Sequence, residues 1–284
     1  MRDVDFNLYD YSRLREQFGP FVEARAASIP GRTEHDLVGE SYGRILRETA
    51  RLVAHQWREH LEHSAVKGFL FHGGVGVGKT TMGKRLTYEL CRLFGSDGTD
   101  DAESEVVLVM IDGSDLARGR YGDSEERLAE LFEYARDGGE AHNRGHVHRH
   151  DDDPVRRTVV LFDDVESLLM ARSAGGAKEW HFSQNSVFFH SIDELDTAHT
   201  AVVLTTNRLD LLDEALIDRF LTYEFPTPAK DVLTEVARAR GRVQHLSDHE
   251  LAPILARIND GDAIRSIREV ERMVTRAYVE KVIG

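Results

Sequence analysis

Residues 73–80 read GGVGVGKT and continue into a second threonine, Thr81. They fit the pattern G-x-x-x-x-G-K-[ST], whose chemistry is the binding of a nucleoside triphosphate. Glycines at Gly73, Gly74, Gly76 and Gly78, with Val75 and Val77 between them, let backbone N–H groups close around phosphate oxygens. Lys79 would contact the β- and γ-phosphates, and the Thr80 hydroxyl would face Mg²⁺. Downstream, VVLFDDVESLL (Val159–Leu169) is an apolar run ending in acids. Its first acid, Asp163, has the place of a Mg²⁺ carboxylate, and Asp164 follows where it could orient an attacking water, with Glu166 as the next candidate.

These residues need a scaffold that gathers strand ends along one edge. Short apolar runs at Gly68–His72, Val106–Ile111, Thr158–Phe162, Ala201–Thr205 and Thr222–Phe225 alternate with helical periodicity at Thr80–Leu93, Ser124–Arg136, Trp180–Leu195 and Asp213–Arg219. That alternation predicts an α/β fold, a parallel sheet with helices on both faces and the ligand site outside the carboxyl ends of the strands. After Pro226 and Pro228 only helical periodicity remains, over Ala229–Arg240, Ser247–Ile258 and Asp262–Ile283, which predicts a small all-helical lid. The expected organisation is an N-terminal segment at 1–35, an α/β unit at 36–226 and a helical unit at 227–284. The N-terminal segment mixes Phe6, Tyr9, Tyr11, Phe18 and Phe21 with charges, and both a docking segment and a helix packed on the core remain open. Residues 138–157 interrupt the second unit as a polar insert.

Composition narrows the function classes. The 284 residues carry 50 acids against 36 Lys and Arg, a formal charge of −14. That balance argues against direct binding of nucleic acid through its phosphates. No run of about 18 apolar residues is present, as a membrane span would need. Together with the lone Cys91, which reads as a small core residue, this points to a reducing cytoplasm. In the insert, His142, His146, His148 and His150 adjoin Asp151–Asp153. Their spacing is unpatterned for a metal site, and a solvated loop that charges as pH falls towards about 6 is the functional reading.

With those motifs placed, the chain resembles the AAA+ family of ring-forming ATPases, near the AAA clade proper. The resemblance runs from about Asp36 to Gly284. DLVGES (Asp36–Ser41) is similar to the family's adenine-contacting segment, which implies that Val38 and Gly39 lie near the base. DGSDLARGRYGDSEERLAELFEYAR (Asp112–Arg136) is similar to its pore loop and following helix, with Tyr121, between Arg118, Arg120 and the helix, as the aromatic that would grip substrate. VVLTTNRLDLLDEALIDRF (Val202–Phe220) is similar to the sensor strand and arginine segment. It implies that Asn207 bonds the attacking water or γ-phosphate and that Arg219 reaches the ATP of a neighbouring subunit, with Arg172 as a second interface arginine. Arg265 matches a lid position where some branches carry a sensor arginine. VESLLMAR and the single DR are similar to checkpoint ATPases that unfold HORMA-domain proteins.

The resemblance implies ATP and Mg²⁺ as ligands and a homo-oligomeric, hexameric ring that remodels or unfolds a protein client. Asp164 stands where the family has Glu, and the side chain one methylene shorter implies slow turnover. Two alternatives follow from the same motifs: a loader of a helicase or transposition complex, and an ATP-gated assembly switch.

Overall fold

A computed structural model describes residues 7–26, 39–94, 104–113, 123–136, 155–171, 179–260 and 264–283. Six strands form one sheet: β1 (Asn7–Tyr9), β2 (Gly68–Gly73), β3 (Ser104–Asp112), β4 (Val155–Asp163), β5 (Thr200–Thr206) and β6 (Leu221–Phe225). Their order is β1-β3-β4-β5-β2-β6, and all neighbours are parallel except β1, which runs antiparallel to β3. The phosphate-loop strand β2 therefore lies between β5 and β6, and β4 lies between β3 and β5. At the carboxyl edge, Asp112 and Asp163 are register partners, as are His72 and Thr206.

Alternation along each buried strand sends successive side chains to opposite faces. Phe69, Phe71, Val159, Leu161, Ala201 and Val203 enter one buried cluster, while Leu70, Val160, Phe162, Val202 and Leu204 enter the other. The first face is covered by α1 (Tyr11–Ala26), α2 (Glu40–Arg58) and α3 (Lys79–Phe94). The second is covered by α4 (Asp123–Arg136) and α5 (Glu179–Asp193). A single-turn helix α6 (Glu214–Ile217) precedes β6 and is capped by Asp213, whose side chain accepts the Ala215 N–H. It is shorter than the Asp213–Arg219 stretch predicted.

On the second face Phe188 is fully buried and meets Phe132, Phe162 and Phe220 at centroid distances of 5.7, 5.4 and 6.5 Å. Phe188→Ala should lower unfolding free energy by about 3–5 kcal/mol in a denaturant titration, through lost apolar transfer and the cavity left behind. An effect below about 1 kcal/mol would mean that this face is not packed as described.

After β6 come α7 (Lys230–Val243), α8 (Asp248–Asn259) and α9 (Ile267–Ile283). Their apolar residues, among them Val232, Leu251, Ile254, Val270 and Val274, join the cluster on the first face. Ser247 and Glu250 start α8 with a reciprocal capping box. The last helix begins at Ile267, five residues after the predicted start at Asp262.

The N-terminal segment, left open between two readings, is structured over residues 7–26. β1 extends the sheet beyond β3, and α1 packs on α3 and on α7. Leu14 and Phe18 are buried, and Tyr11 and Phe18 place their rings 5.9 and 6.0 Å from Tyr88 of α3. Cys91 is buried, and burial pushes its thiol up to about 12, as suits an inert core residue. Among the described residues no helix is long and apolar enough to cross a membrane.

Candidate functional site

The site is built where β2 runs out. Gly73 has φ +144, and a Cβ there would lie 2.3 Å from the Phe225 carbonyl oxygen, so only glycine lets β2 pair with β6 and then turn. Gly76, with φ +74, brings the loop under the lid, where a Cβ would meet Ser266 and Arg268 at 3.0 and 3.1 Å. The loop then enters α3 at Lys79, so the backbone donors of that helix start face the same space as the loop amides. Tyr42, near the start of α2, braces the loop from behind by donating its hydroxyl to the Val77 carbonyl at 3.0 Å. Burial raises that hydroxyl to about 12, so it stays a donor.

Lys79 is nearly enclosed, and its ammonium donates to Gly73 O at 2.9 Å, Gly74 O at 2.7 Å and Asn207 Oδ1 at 2.8 Å. Burial lowers its pKa, and the nearby carboxylates Asp164, Glu166 and Asp163 oppose that shift. Asn207 is bonded on both sides, because its Nδ2 donates to Asp164 Oδ1 at 2.6 Å. A continuous chain thus runs from the loop carbonyls through Lys79 and Asn207 to Asp164.

A second set of bonds fixes the acids. Asp163 Oδ1 accepts from the Thr80 hydroxyl at 2.7 Å and from the Thr205 hydroxyl at 2.5 Å. The Thr205 oxygen in turn accepts the Asp164 N–H at 3.2 Å. Asp164 has φ 50 and ψ 52, a left-handed conformation that Asp tolerates better than most residues, and it leads into a 3₁₀ turn over Val165–Ser167. Burial raises the Asp164 pKa, and Asp163, Glu166 and Asp112 push it further up. Glu166 Oε1 accepts the backbone N–H of Asn207 at 3.1 Å, tying the end of β5 to the acid turn.

The lid closes the pocket from above through Ile267, Arg268 and Glu271. The Arg268 N–H donates to Gly76 O at 3.3 Å, so the start of α9 is hydrogen-bonded to the phosphate loop. Arg265 is exposed and does not line this pocket; the lid arginine that does is Arg268. Helix α9 starts later than its periodicity predicted, and Arg268 lies in its first turn.

The pocket brings together Val75, Gly76, Gly78, Lys79, Thr80, Thr81, Asp163, Asp164 and Asn207. Thr205 and Glu166 lie behind it, Thr205 bonded to Asp163 and Glu166 to the Asn207 N–H, and Thr205 is not among the residues expected from sequence. Gly39 lies at the start of α2, against Val232 of α7 and Tyr42. Arg219 does not line the pocket. Its guanidinium pairs with Asp193 and packs over Phe189. Val38, Arg118, Arg120, Tyr121, Arg172 and the histidines of the insert with Asp151–Asp153 lie outside the described residues.

The oxygen chemistry suits Mg²⁺. Thr80 and Asp163 present adjacent hard donors at the end of a phosphate loop, and Mg²⁺ takes one or two protein oxygens beside phosphate and water.

Comparison with known proteins agrees with this architecture. The profile of the family described as "ATPase family associated with various cellular activities (AAA)" matches residues 69–226. An "AAA ATPase forming ring-shaped complexes" from Bifidobacterium animalis subsp. lactis strain AD011 is 26% identical over 160 residues, covering 56% of this chain and 27% of that protein. A proteasome-activating nucleotidase from Pyrococcus abyssi is 26% identical over 246 residues, covering 77% of this chain and 52% of that protein. The chain therefore spans only about a quarter to a half of these relatives' length. Among solved structures, a chain of the E. coli MS115-1 HORMA:CdnC:Trip13 complex aligns over 96% of this chain and 94% of its own length. Its TM-score is 0.57 at 15% identity. The FIGL-1 AAA domain in complex with ADP aligns over 87% of this chain and 73% of its own, with TM-score 0.59 at 20% identity.

Proposed function

Because the chain belongs to the AAA family of ATPases, we propose that it hydrolyses ATP at the interfaces of a homo-oligomeric, hexameric ring and spends that energy remodelling a protein client. The observation that carries the reading is the bonded chain Lys79–Asn207–Asp164 beside the Thr80–Asp163 pair. It sets a phosphate cation, a polar sensor, a general base and a metal carboxylate around one loop. Lys79 exchanges the Gly73 and Gly74 carbonyls and Asn207 Oδ1 for phosphate oxygens. That exchange frees Asn207 to turn its amide toward the γ-phosphate or the attacking water, while Asp164 accepts a hydrogen bond from the same water. Thr80 and Asp163 would hold Mg²⁺, which when bound would supply positive charge beside the phosphates. Arg268 adds a cation from the lid, and Gly39 with Val38 borders the base.

Arg219 supplies an arginine to the γ-phosphate bound by the next subunit. Relatives that form ring-shaped complexes support that reading. Specific ATPase activity should then rise steeply with protein concentration and level off once rings are complete. A specific activity that is flat from dilute to concentrated protein would count against assembly-dependent hydrolysis. The acidic balance of the chain and its likeness to ATPases of proteasome systems favour a protein client over nucleic acid. A HORMA-domain protein, the component that accompanies Trip13 in the structure of similar fold, is the client class to test first. Tyr121 is the residue proposed to grip it.

A slower ATP-gated switch has one specific observation in its favour. The general base is an aspartate, with one methylene less reach than glutamate, already bonded to Asn207. Single-turnover hydrolysis with and without client separates the two readings, since a switch would hold ATP unhydrolysed until the client arrives.

A further inference from the structure

Arg219 follows the single turn α6 and precedes Phe220, which is buried, so its backbone is anchored while its side chain faces outward. The side chain is nevertheless held at three points. Nε and Nη2 donate to Asp193 Oδ1 and Oδ2 at 2.9 and 3.0 Å. Nη1 donates to the Ala215 carbonyl at 2.7 Å, and the guanidinium carbon lies 4.8 Å from the centroid of the Phe189 ring. Asp193 and Phe189 sit one turn apart on α5, and that helix is fixed by Phe188 and Ile192, both fully buried. A guanidinium has five N–H donors. Three are spent on these contacts, and two remain.

Stability does not explain this arrangement. Arg219 is 30% exposed and Asp193 54%, and ion pairs this open contribute little to folding. Nor does charge explain it, since a carboxylate against the guanidinium offsets part of the field an arginine brings to a phosphate. What the planar two-bond fork adds is direction, because it fixes the plane of the guanidinium and leaves the unspent donors directed elsewhere than at the Asp193 carboxylate. A misplacement of about 1 Å at a reacting centre can cost on the order of 10²-fold in rate, so direction is worth more here than undiminished charge.

We propose that Asp193 is a positioning residue for Arg219, holding its guanidinium from the back so that the remaining N–H groups meet the γ-phosphate bound by the adjacent subunit. This rests on the interface reading above, and it adds that α5 carries the frame of the arginine finger. Phe189 supports the same frame from its ring face.

The test uses the full chain. Asp193→Ala should lower kcat at ring-saturating concentration roughly 10- to 100-fold, with KM for ATP little changed. Asp193→Asn, which keeps one acceptor oxygen and the shape, should fall between Ala and wild type and controls for misfolding. Mixing then places the defect. Combined with Lys79→Ala, whose nucleotide site is dead and whose finger is intact, Asp193→Ala should recover activity above the sum of the two separate proteins. Combined with Arg219→Ala it should not. An Asp193→Ala that is unchanged or faster, or that recovers with Arg219→Ala and not with Lys79→Ala, overturns the assignment. An Arg219→Ala as active as wild type sinks the interface reading and this role together, whereas a defective Arg219→Ala beside an unimpaired Asp193→Ala sinks only the latter.

Discussion

Alanine at Arg219 is expected to reduce ATP turnover at saturating protein by roughly 10³- to 10⁵-fold, the scale on which an arginine supplied across an interface stabilises a phosphoryl-transfer transition state. That corresponds to about 4–7 kcal/mol of activation energy. The same substitution should leave ATP affinity and the unfolding midpoint nearly unchanged. Arg219 does not line the nucleotide pocket of its own chain, and its partner Asp193 is half exposed, so losing the pair costs about 1 kcal/mol of stability or less. Lysine should rescue little, because an ammonium has neither the fork that engages both Asp193 oxygens nor donors left over at a fixed angle. Steady-state ATPase, nucleotide titration and thermal melts on the three proteins check this set. A parallel loss of binding and turnover would place Arg219 in its own subunit's site instead.

On the proposed reading, in which the Asp164 carboxylate is the base and not a phosphate ligand, Asp164→Asn should lower turnover about 10²- to 10⁴-fold while ATP still binds. Asparagine can keep the bond with Asn207, which isolates the loss of basicity from a loss of geometry. The phosphate cradle, Lys79 and the Thr80–Asp163 pair remain intact, so the variant should accumulate as an ATP-bound ring that retains its client for capture. If Asp164→Asn hydrolysed at the wild-type rate, the base would have to be sought at Glu166. Its Oε1 accepts the Asn207 N–H, so the same side chain also holds the strand end.

The sequence made the phosphate loop legible because the glycines, the lysine and the threonines are consecutive and lie between an apolar strand and a helix. Asp163 was legible for the same reason, as an acid ending an apolar run. Partners distant along the chain left no local signal. Thr205 meets Asp163 across 42 positions, Glu166 meets Asn207 across 41, and Asp193 meets Arg219 across 26. Only the parallel pairing of β4 with β5 and the packing of α5 near α6 create those contacts. In helix α2 Ile45, Leu46, Ala50, Val53, Ala54 and Trp57 recur at helical spacing and are buried, a pattern that marks packing and carries no chemistry. The strand β1 is three residues long and too short for periodicity to reveal. The place of Arg268 at the pocket likewise depends on a distant contact, the bond from its N–H to Gly76 O.

The claim that ATP is hydrolysed between subunits is tested most directly by mixing two inactive proteins, Lys79→Ala and Arg219→Ala. The first cannot hold ATP productively but presents Arg219; the second holds ATP but has no arginine to give. Assembly in trans predicts that the mixture hydrolyses ATP well above the sum of the two proteins assayed apart, with activity that grows with total concentration. A mixture no more active than that sum, in rings shown by sedimentation to contain both proteins, would contradict it.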